Sequence, residues 1–509
     1  MARRFARVSL AVSAALLAVL AAEATTRLVD GFALISVALV RVRPPIPPVS
    51  AGGKWLDPHE ASGDASRVPL APGVDARWFA LDPDPPPPQP VDPDLNRRYW
   101  AAAGHELPAV YEWNRQFISS VLCRGDRSTH PYLAGQLASL RELYVFDPAG
   151  ATPFPTYRFL RSTHYPSGLR TNAFGWRGPD LPLNKPPGRI RVAFVGASTT
   201  VDAHADPFSY PEYIARWLTE WAKAQPRPIS FDVVNAGREG ILSNSIAAVV
   251  RQELVPVRPD LVVYYEGANQ FWPNSFTTRP VVRVLEALGA RTALDRYSAL
   301  TARFHDWIER PPTATEPPKP SIAVGWPRDL DEFDPPLDDA RLPVQLPQIL
   351  HDLDRIREDL TPIDATLMLS SFVALVDPGL VLVPERDAIV FRELNERYWP
   401  FSYAHMRRFF DFENRVFRKY ARAHQLPFND LDAVYPRDPR LFVDTVHMTP
   451  AGVKLKAWIV FQHVVAEIDR RLRDGRLPIA DQGGRGTHPA FAGAARRLEP
   501  VEALKQRCY

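Results

Sequence analysis

The chain is 509 residues long, 46% apolar and 23% charged, with a formal net charge of +3. That is an ordinary globular balance, with too little positive charge to suggest a nucleic-acid partner. Its length exceeds the usual single domain, so one sizeable domain with accessory segments is expected. Two cysteines, Cys123 and Cys508, exclude a disulfide scaffold and are too far apart to resemble a metal-ligand pair; they read as unpaired thiols, with a bridge between them as the alternative.

Arg3, Arg4 and Arg7 precede an apolar run from Val8 to Ala22 that meets Glu23, the order of an export signal or signal anchor. Continued to Thr26, the run is near the lower limit for a spanning helix, about 17 residues. Residues 1–43 are read as a signal anchor with a juxtamembrane segment. The positive-inside rule then puts the N-terminus in the cytoplasm and everything after residue 30 on the periplasmic side. Ala22-Glu23-Ala24 has the small-x-small form of a cleavage site, so a cleaved signal and a secreted protein form the alternative. Gly31 to Val40 is too short to span and reads as a juxtamembrane or packed helix.

Residues 44–150 read as a Pro-rich linker and a small accessory region. The 53 prolines are about twice the average usage of roughly 5%. The run Asp82-Pro83-Asp84-Pro85-Pro86-Pro87-Pro88-Gln89-Pro90 is incompatible with a helix or an interior strand and predicts a stiff spacer. A helix is expected around Leu133 to Leu143.

From Gly188 short apolar runs alternate with amphipathic stretches, the pattern of βαβ units. Strands are expected at Ile190 to Val195, Phe231 to Asn235, Leu261 to Tyr265, Ala365 to Ser370 and Pro427 to Leu431. Helices are expected at Tyr210 to Ala224, Ser243 to Val255, Leu346 to Leu360, Ala404 to His424 and Pro450 to Arg473. The fold class is therefore α/β, a three-layer sandwich around a central, mostly parallel five-stranded sheet. It occupies a domain at 151–473 with its core at 189–473. Prolines break the rhythm at about 271–344, read as an insertion over one end of the sheet, and residues 474–509 read as a mobile tail.

Four short blocks carry chemistry. Gly196-Ala197-Ser198-Thr199-Thr200 follows the first strand, where open parallel sheets place their ligand sites. Asn235-Ala236-Gly237-Arg238-Glu239-Gly240 ends the second strand, and Glu266-Gly267-Ala268-Asn269 ends the third. Asp444-Thr445-Val446-His447 precedes the last helix. In this order they resemble the SGNH/GDSL hydrolase family, over roughly residues 189–470. Thr171-Asn172-Ala173-Phe174-Gly175-Trp176-Arg177-Gly178 looks like the lead-in of membrane-anchored bacterial members. The resemblance implies a flavodoxin-like fold and a serine esterase that needs no cofactor and no metal.

Under that resemblance Ser198 is the nucleophile. A serine hydroxyl reacts only when a base takes its proton, which a neutral imidazole does near neutral pH. His447 is that base, and Asp444, about one turn earlier, holds its tautomer. The oxyanion donors are implied to be the backbone N–H of Ser198, the backbone N–H of Gly240 and the side-chain amide of Asn269. The family spacing selects Gly240, with Gly237 as the alternative. Two positions depart from the family: Ala197 stands for its acid, and Gln270 follows Asn269 where the family has Asp.

Asp202-Ala203-His204-Ala205-Asp206 follows the nucleophile turn. Acids around a histidine are the donor types of a metal site, but the cluster reads as an exposed polar loop, with His204 a weak candidate to touch substrate. Ser209 is a candidate N-cap. The expected substrate is a carboxylic ester, an acylated (O-acetyl) envelope glycan or a lipid. An O-acyltransferase to a polysaccharide hydroxyl, using the same site, is one alternative. A non-catalytic glycan-binding or scaffold protein that keeps the fold is the other.

Overall fold

The computed structural model describes residues 2–30, 32–37, 61–84, 106–108, 170–202, 208–276, 297–309, 324–382, 401–478 and 498–500, with a few single positions between them. Cys123, Cys508, His204, most of the Pro-rich run and the helix expected at Leu133 to Leu143 lie outside the described residues.

The N-terminal helix α1, Ala2–Asp30, contains a window, Val12–Val29, long and apolar enough to cross a membrane. The central sheet is built from β1 (Arg189–Gly196), β2 (Ser230–Asn235), β3 (Leu261–Tyr265), β4 (Thr366–Ser370) and β5 (Phe428–Asn429). Their spatial order is β2-β1-β3-β4-β5, and all four pairings are parallel. This is the flavodoxin-like order, whose crossover direction reverses between β1 and β3. In register, Phe194 of β1 faces Asn235 of β2 and Val263 of β3. The carboxyl ends of the three strands are thus level, and the three loops that follow them open on one edge.

The sheet is covered on both sides, so its strands are continuous apolar runs rather than alternating ones; every residue of β3 is buried. On one face lie α2 (Tyr210–Lys223) and, at the end of the chain order, the helix Pro450–Arg473. Their contact is a perpendicular pair of indoles, Trp217 and Trp458, with centroids 5.0 Å apart. On the other face lie α3 (Ser243–Val249), followed beyond the helix α4 (Ala299–Glu309) by α5 (Leu346–Leu360) and α6 (Tyr403–Ala423). Ser243 Oγ donates to Asp352 at 2.6 Å and Tyr420 Oη to Asp354 at 2.7 Å, tying α3 and α6 to α5. The helix Pro450–Arg473 is α7. Ser209 begins α2 as expected: its N–H and hydroxyl both donate to Glu212, the third residue of the helix, at 2.6 and 2.7 Å.

Three expectations need correction. The strand expected at Pro427 to Leu431 is only Phe428–Asn429, because Leu431–Val434 already forms a helical turn whose Asp432 N–H bonds Ser371 Oγ. The helix expected at Ser243 to Val255 leaves α geometry after Val249 and continues as a π turn, Val250–Leu254. Residues 32–37 are not helical: the Arg27 guanidinium takes the carbonyls of Ala33 and Ser36 at 3.2 and 2.7 Å, acceptors that a helix needs for itself.

Within the stretch read as linker, residues 61–84 pack against α2 and α7. Phe79 stacks on Trp217, Trp221 Nε1 donates to Pro72 O at 3.0 Å, and Lys454 reaches Asp82 at 2.6 Å. The two ends of the 271–344 insertion also return to the core, where Val344 is buried and its N–H donates to Ser275 Oγ at 2.9 Å. Phe271 and Phe276 stack on Phe410 and Phe409 of α6, at 3.9 and 4.0 Å between centroids.

Candidate active site

β1 ends in a turn that only glycine permits. A Cβ on Gly196 would lie 2.1 Å from Tyr265 O and 2.2 Å from Thr200 Oγ1, far inside van der Waals contact. Ser198 then opens a single helical turn, Ser198–Val201. Its N–H is therefore a leading amide with no acceptor inside that turn. Asp202 closes the turn in the left-handed region, φ +46°.

Two basic residues brace this turn. Lys456 of α7 donates to Thr199 O at 2.7 Å and to the Asp202 carboxylate at 3.1 Å, and its ammonium lies 4.3 Å from the centroid of the Tyr210 ring. Arg177, from the lead-in segment, donates to the carbonyls of Val201 and Asp202 and to Glu212. Asp202 and Lys456 are both buried; burial pushes the Asp202 carboxyl up, opposed by the lysine charge. Asp202 is therefore not part of an exposed loop. Its carboxylate already has a cation and the Tyr210 N–H at 3.1 Å.

His447 reaches the turn from the segment before α7. Its Nε2 is 2.8 Å from Ser198 Oγ, and its Nδ1 is 2.6 Å from Asp444 Oδ2. The other Asp444 oxygen accepts the backbone N–H groups of Val446 and His447 at 2.8 and 2.7 Å. One carboxylate thus fixes both the imidazole and the peptide that carries it. Thr449 caps α7 through Gly452 N, which ends the segment at a defined point. Exposure of Ser198 and His447 is 8% each and of Asp444 2%, so the chain of hydrogen bonds is largely shielded from water, most of all at the carboxylate. With Nδ1–H held by the carboxylate, Nε2 faces Oγ as an acceptor, the arrangement that removes a hydroxyl proton.

The other two blocks meet beside the serine loop. Asn269 Nδ2 donates to Ile241 O at 2.9 Å. This links the loop after β3 to the loop after β2 and leaves the second amide hydrogen of Asn269 for another acceptor. Gly237 is buried; a Cβ there would meet Val201 N at 2.5 Å, and its N–H donates to Asn235 Oδ1 at 3.2 Å. Gly240 is exposed and in the left-handed region, φ +64°. Of the two glycines weighed from the sequence, Gly237 is committed to packing.

The two departures from the family pattern have structural accounts. Ala197 is wholly buried, so its position is a packing site. Gln270 is buried, and its Oε1 accepts the N–H of Ser243, the first residue of α3, at 2.6 Å. Arg238, in the second block, belongs to a buried cluster in which Glu253 accepts from Arg238, from Arg158 at 2.6 Å and from Trp176 at 2.9 Å.

Sequence reading assigned no role to Glu266. Its carboxylate accepts the N–H groups of Ala268 and Asn269 at 2.9 and 2.7 Å, orienting the loop that carries the Asn269 amide. Burial pushes this carboxyl up to about 7, against the pull of those N–H groups and of His447. Behind it Glu413 of α6 is fully buried; burial, with the nearby Glu266, raises its carboxyl well above the usual range. Lys456 was equally silent in sequence, as one of several charged residues along α7 with no local sign of its burial.

No protein-family model matches the chain, and no curated protein matches it. Solved structures it is similar to include an acetylxylan esterase from Geobacillus stearothermophilus, at 15% identity and a TM-score of 0.29 over 56% of this chain and 96% of that one. A putative GDSL-like lipase from Parabacteroides merdae has 13% identity and a TM-score of 0.30 over 57% and 100%. A GDSL-like lipase from Bacteroides thetaiotaomicron has 14% identity and a TM-score of 0.26 over 56% and 88%.

Proposed function

We propose that the chain is a serine esterase of the SGNH/GDSL kind, anchored by α1 with its catalytic domain on the periplasmic face, cleaving carboxylic esters through an acyl-Ser198 intermediate. The observation that carries this reading is the hydrogen-bonded series from Ser198 through His447 to Asp444, at 2.8 and 2.6 Å.

In the reaction Ser198 Oγ attacks the ester carbonyl while its proton passes to His447 Nε2. Asp444 holds the imidazole by Nδ1–H and balances the imidazolium. The carbonyl oxygen becomes an oxyanion that accepts from the N–H groups of Ser198 and Gly240 and from the free amide hydrogen of Asn269. Collapse releases the alcohol, which takes its proton from His447. Water, activated by the same imidazole, then frees the acid. None of these steps requires a metal or an organic cofactor.

The substrate class that follows is an acylated, chiefly O-acetylated, envelope glycan or a lipid ester. The test is a screen of acetylated sugars, aryl esters of graded chain length and lipid esters against wild type and Ser198→Ala. Turnover of at least one ester series that disappears in the variant supports the reading; equal rates in both reject it. Adding a glycan acceptor separates hydrolysis from transfer to a sugar hydroxyl.

A further inference from the structure

α1 is apolar around its circumference, and Val12, Leu16, Leu17, Val19 and Leu20 are all more than half exposed. Only 11% of its window Val12–Val29 is buried among the described residues, and an apolar surface of this kind suits lipid. That window is 18 residues, about 27 Å at 1.5 Å per residue, close to the roughly 30 Å hydrocarbon thickness. The window carries two charged residues, Glu23 and Arg27, near its outer end.

Neither charge faces outward. Arg27 Nε donates to Glu23 at 2.7 Å. The Glu23 carboxylate also accepts Ser298 Oγ at 2.8 Å, Ala299 N at 2.8 Å and Leu300 N at 3.0 Å. It thereby caps the N-terminus of α4, where leading amides and the helix dipole favour an anion. Arg27 donates in addition to the carbonyls of Ala33, Ser36 and Tyr297. Phe32, Ala299 and Ala302 form a small buried cluster of their own at this junction. The hydroxyls of Thr25 and Thr26 bond back to Ala21 O and Ala22 O at 2.8 and 2.9 Å. At the outer end of the window every one of these polar groups is satisfied internally, as a membrane-level site demands.

What this junction turns outward is chiefly apolar, with Thr25 of α1 and Arg303 of α4 the exposed polar residues among those described. Leu28 of α1, Leu34 and Ile35 of the returning segment, and Leu294 and Phe304 of the insertion are each at least half exposed, Ile35 at 99%. We propose that α4 is an interfacial helix: docked on α1 through Glu23 and Arg27, it forms with residues 32–37 an apolar collar that seats in the headgroup boundary of the bilayer α1 crosses. The occupant of the collar is lipid because the exposed surface is continuous with that of α1, beginning on α1 itself at Leu28. Cleavage at Ala22-Glu23-Ala24 would remove the carboxylate that caps α4, so the junction argues for a retained α1. The inserted segment, and not the N-terminal linker alone, then holds the catalytic domain at the membrane face.

The inference rests on α1 being a retained anchor, and the experiment separates the two claims. The full chain, with Cys123→Ser and Cys508→Ser, receives a single fluorophore at Ile35→Cys, Phe304→Cys or, as a control on the catalytic domain, Lys223→Cys. It is reconstituted in phosphatidylcholine–phosphatidylglycerol vesicles. The Ile35 and Phe304 probes are expected to be quenched by nitroxide-labelled lipid, and aqueous iodide to quench them at least about threefold more weakly than the Lys223 probe. Adding Glu23→Ala, which removes the carboxylate that caps α4 and keeps the Arg27 guanidinium for the carbonyls of Ala33 and Ser36, is expected to return the Phe304 probe to iodide while the Ile35 probe stays lipid-quenched.

A Phe304 probe as open to iodide as the control, in a chain that resists carbonate extraction, overturns the collar and leaves the anchor standing. Extraction of the chain by carbonate overturns both. Shielding from iodide without quenching by lipid nitroxide identifies a second protein copy as the occupant and overturns the assignment to lipid.

Discussion

Replacing Glu266 by Gln removes one titrating group from beneath the proposed oxyanion loop while keeping an oxygen for the N–H groups of Ala268 and Asn269. Burial pushes the wild-type carboxyl from its ordinary value of 4.5 up to about 7. The folded state therefore keeps a proton that the unfolded chain releases between those values, and raising the pH through this window favours unfolding. At roughly 1.4 kcal/mol for each pH unit between those values, about 3–4 kcal/mol of stability is lost from the low end to the high end. Glu413, raised by burial and by Glu266 beside it, is present in both proteins, and loss of the Glu266 charge eases its ionisation, which favours the variant at high pH in the same direction. Urea unfolding of the full chain in detergent, followed by tryptophan fluorescence at about pH 5 and about pH 8, reads the effect. The two proteins should be close at the lower pH, and Glu266→Gln should be more stable by on the order of 2–3 kcal/mol at the higher. A difference that does not change with pH refutes the buried carboxyl. A variant that loses stability relative to wild type as pH rises shows an anion held by partners instead.

Asn269→Ala should lower the turnover number by roughly a hundred- to a thousandfold, with a smaller change in KM, read by steady-state kinetics on the best ester found. Gly237→Ala, whose Cβ would sit 2.5 Å from Val201 N, should cost more than about 2 kcal/mol in urea unfolding. Gly240→Ala, strained by its positive φ, should cost about 1–2 kcal/mol and leave the secondary structure by circular dichroism unchanged. Lys456→Met strands the buried Asp202 carboxylate and should destabilise by roughly 3–5 kcal/mol; the double variant with Asp202→Asn should recover part of that loss in the same assay.

The layered fold was legible because a parallel sheet buried on both faces writes each strand as a short apolar run, as in Ile190 to Val195 and Leu261 to Tyr265. β5 is shorter than the sequence suggests because its apolar residues continue into the helical turn at Leu431, which is equally buried. The side chains of the candidate site were legible because each stands at the end of a strand or before a capped helix. What escaped depends on pairs distant in the chain. Lys456 meets Asp202 across 254 residues, and Glu23 meets Ser298 across 275, partnerships that no local pattern announces. Glu266 escaped for the opposite reason. Its contacts are local, but they run from a carboxylate to backbone amides, and backbone amides carry no sequence signature.

The most direct test of the serine chemistry is covalent. A fluorophosphonate reacts with a serine hydroxyl only when a base has activated it and an oxyanion site receives the phosphoryl oxygen. Incubation of the folded full chain with such a probe, followed by peptide mass spectrometry, should find the adduct on Ser198, with none in Ser198→Ala and little in His447→Ala. A folded wild-type chain that takes up no probe, or takes it up on a different serine, contradicts the account.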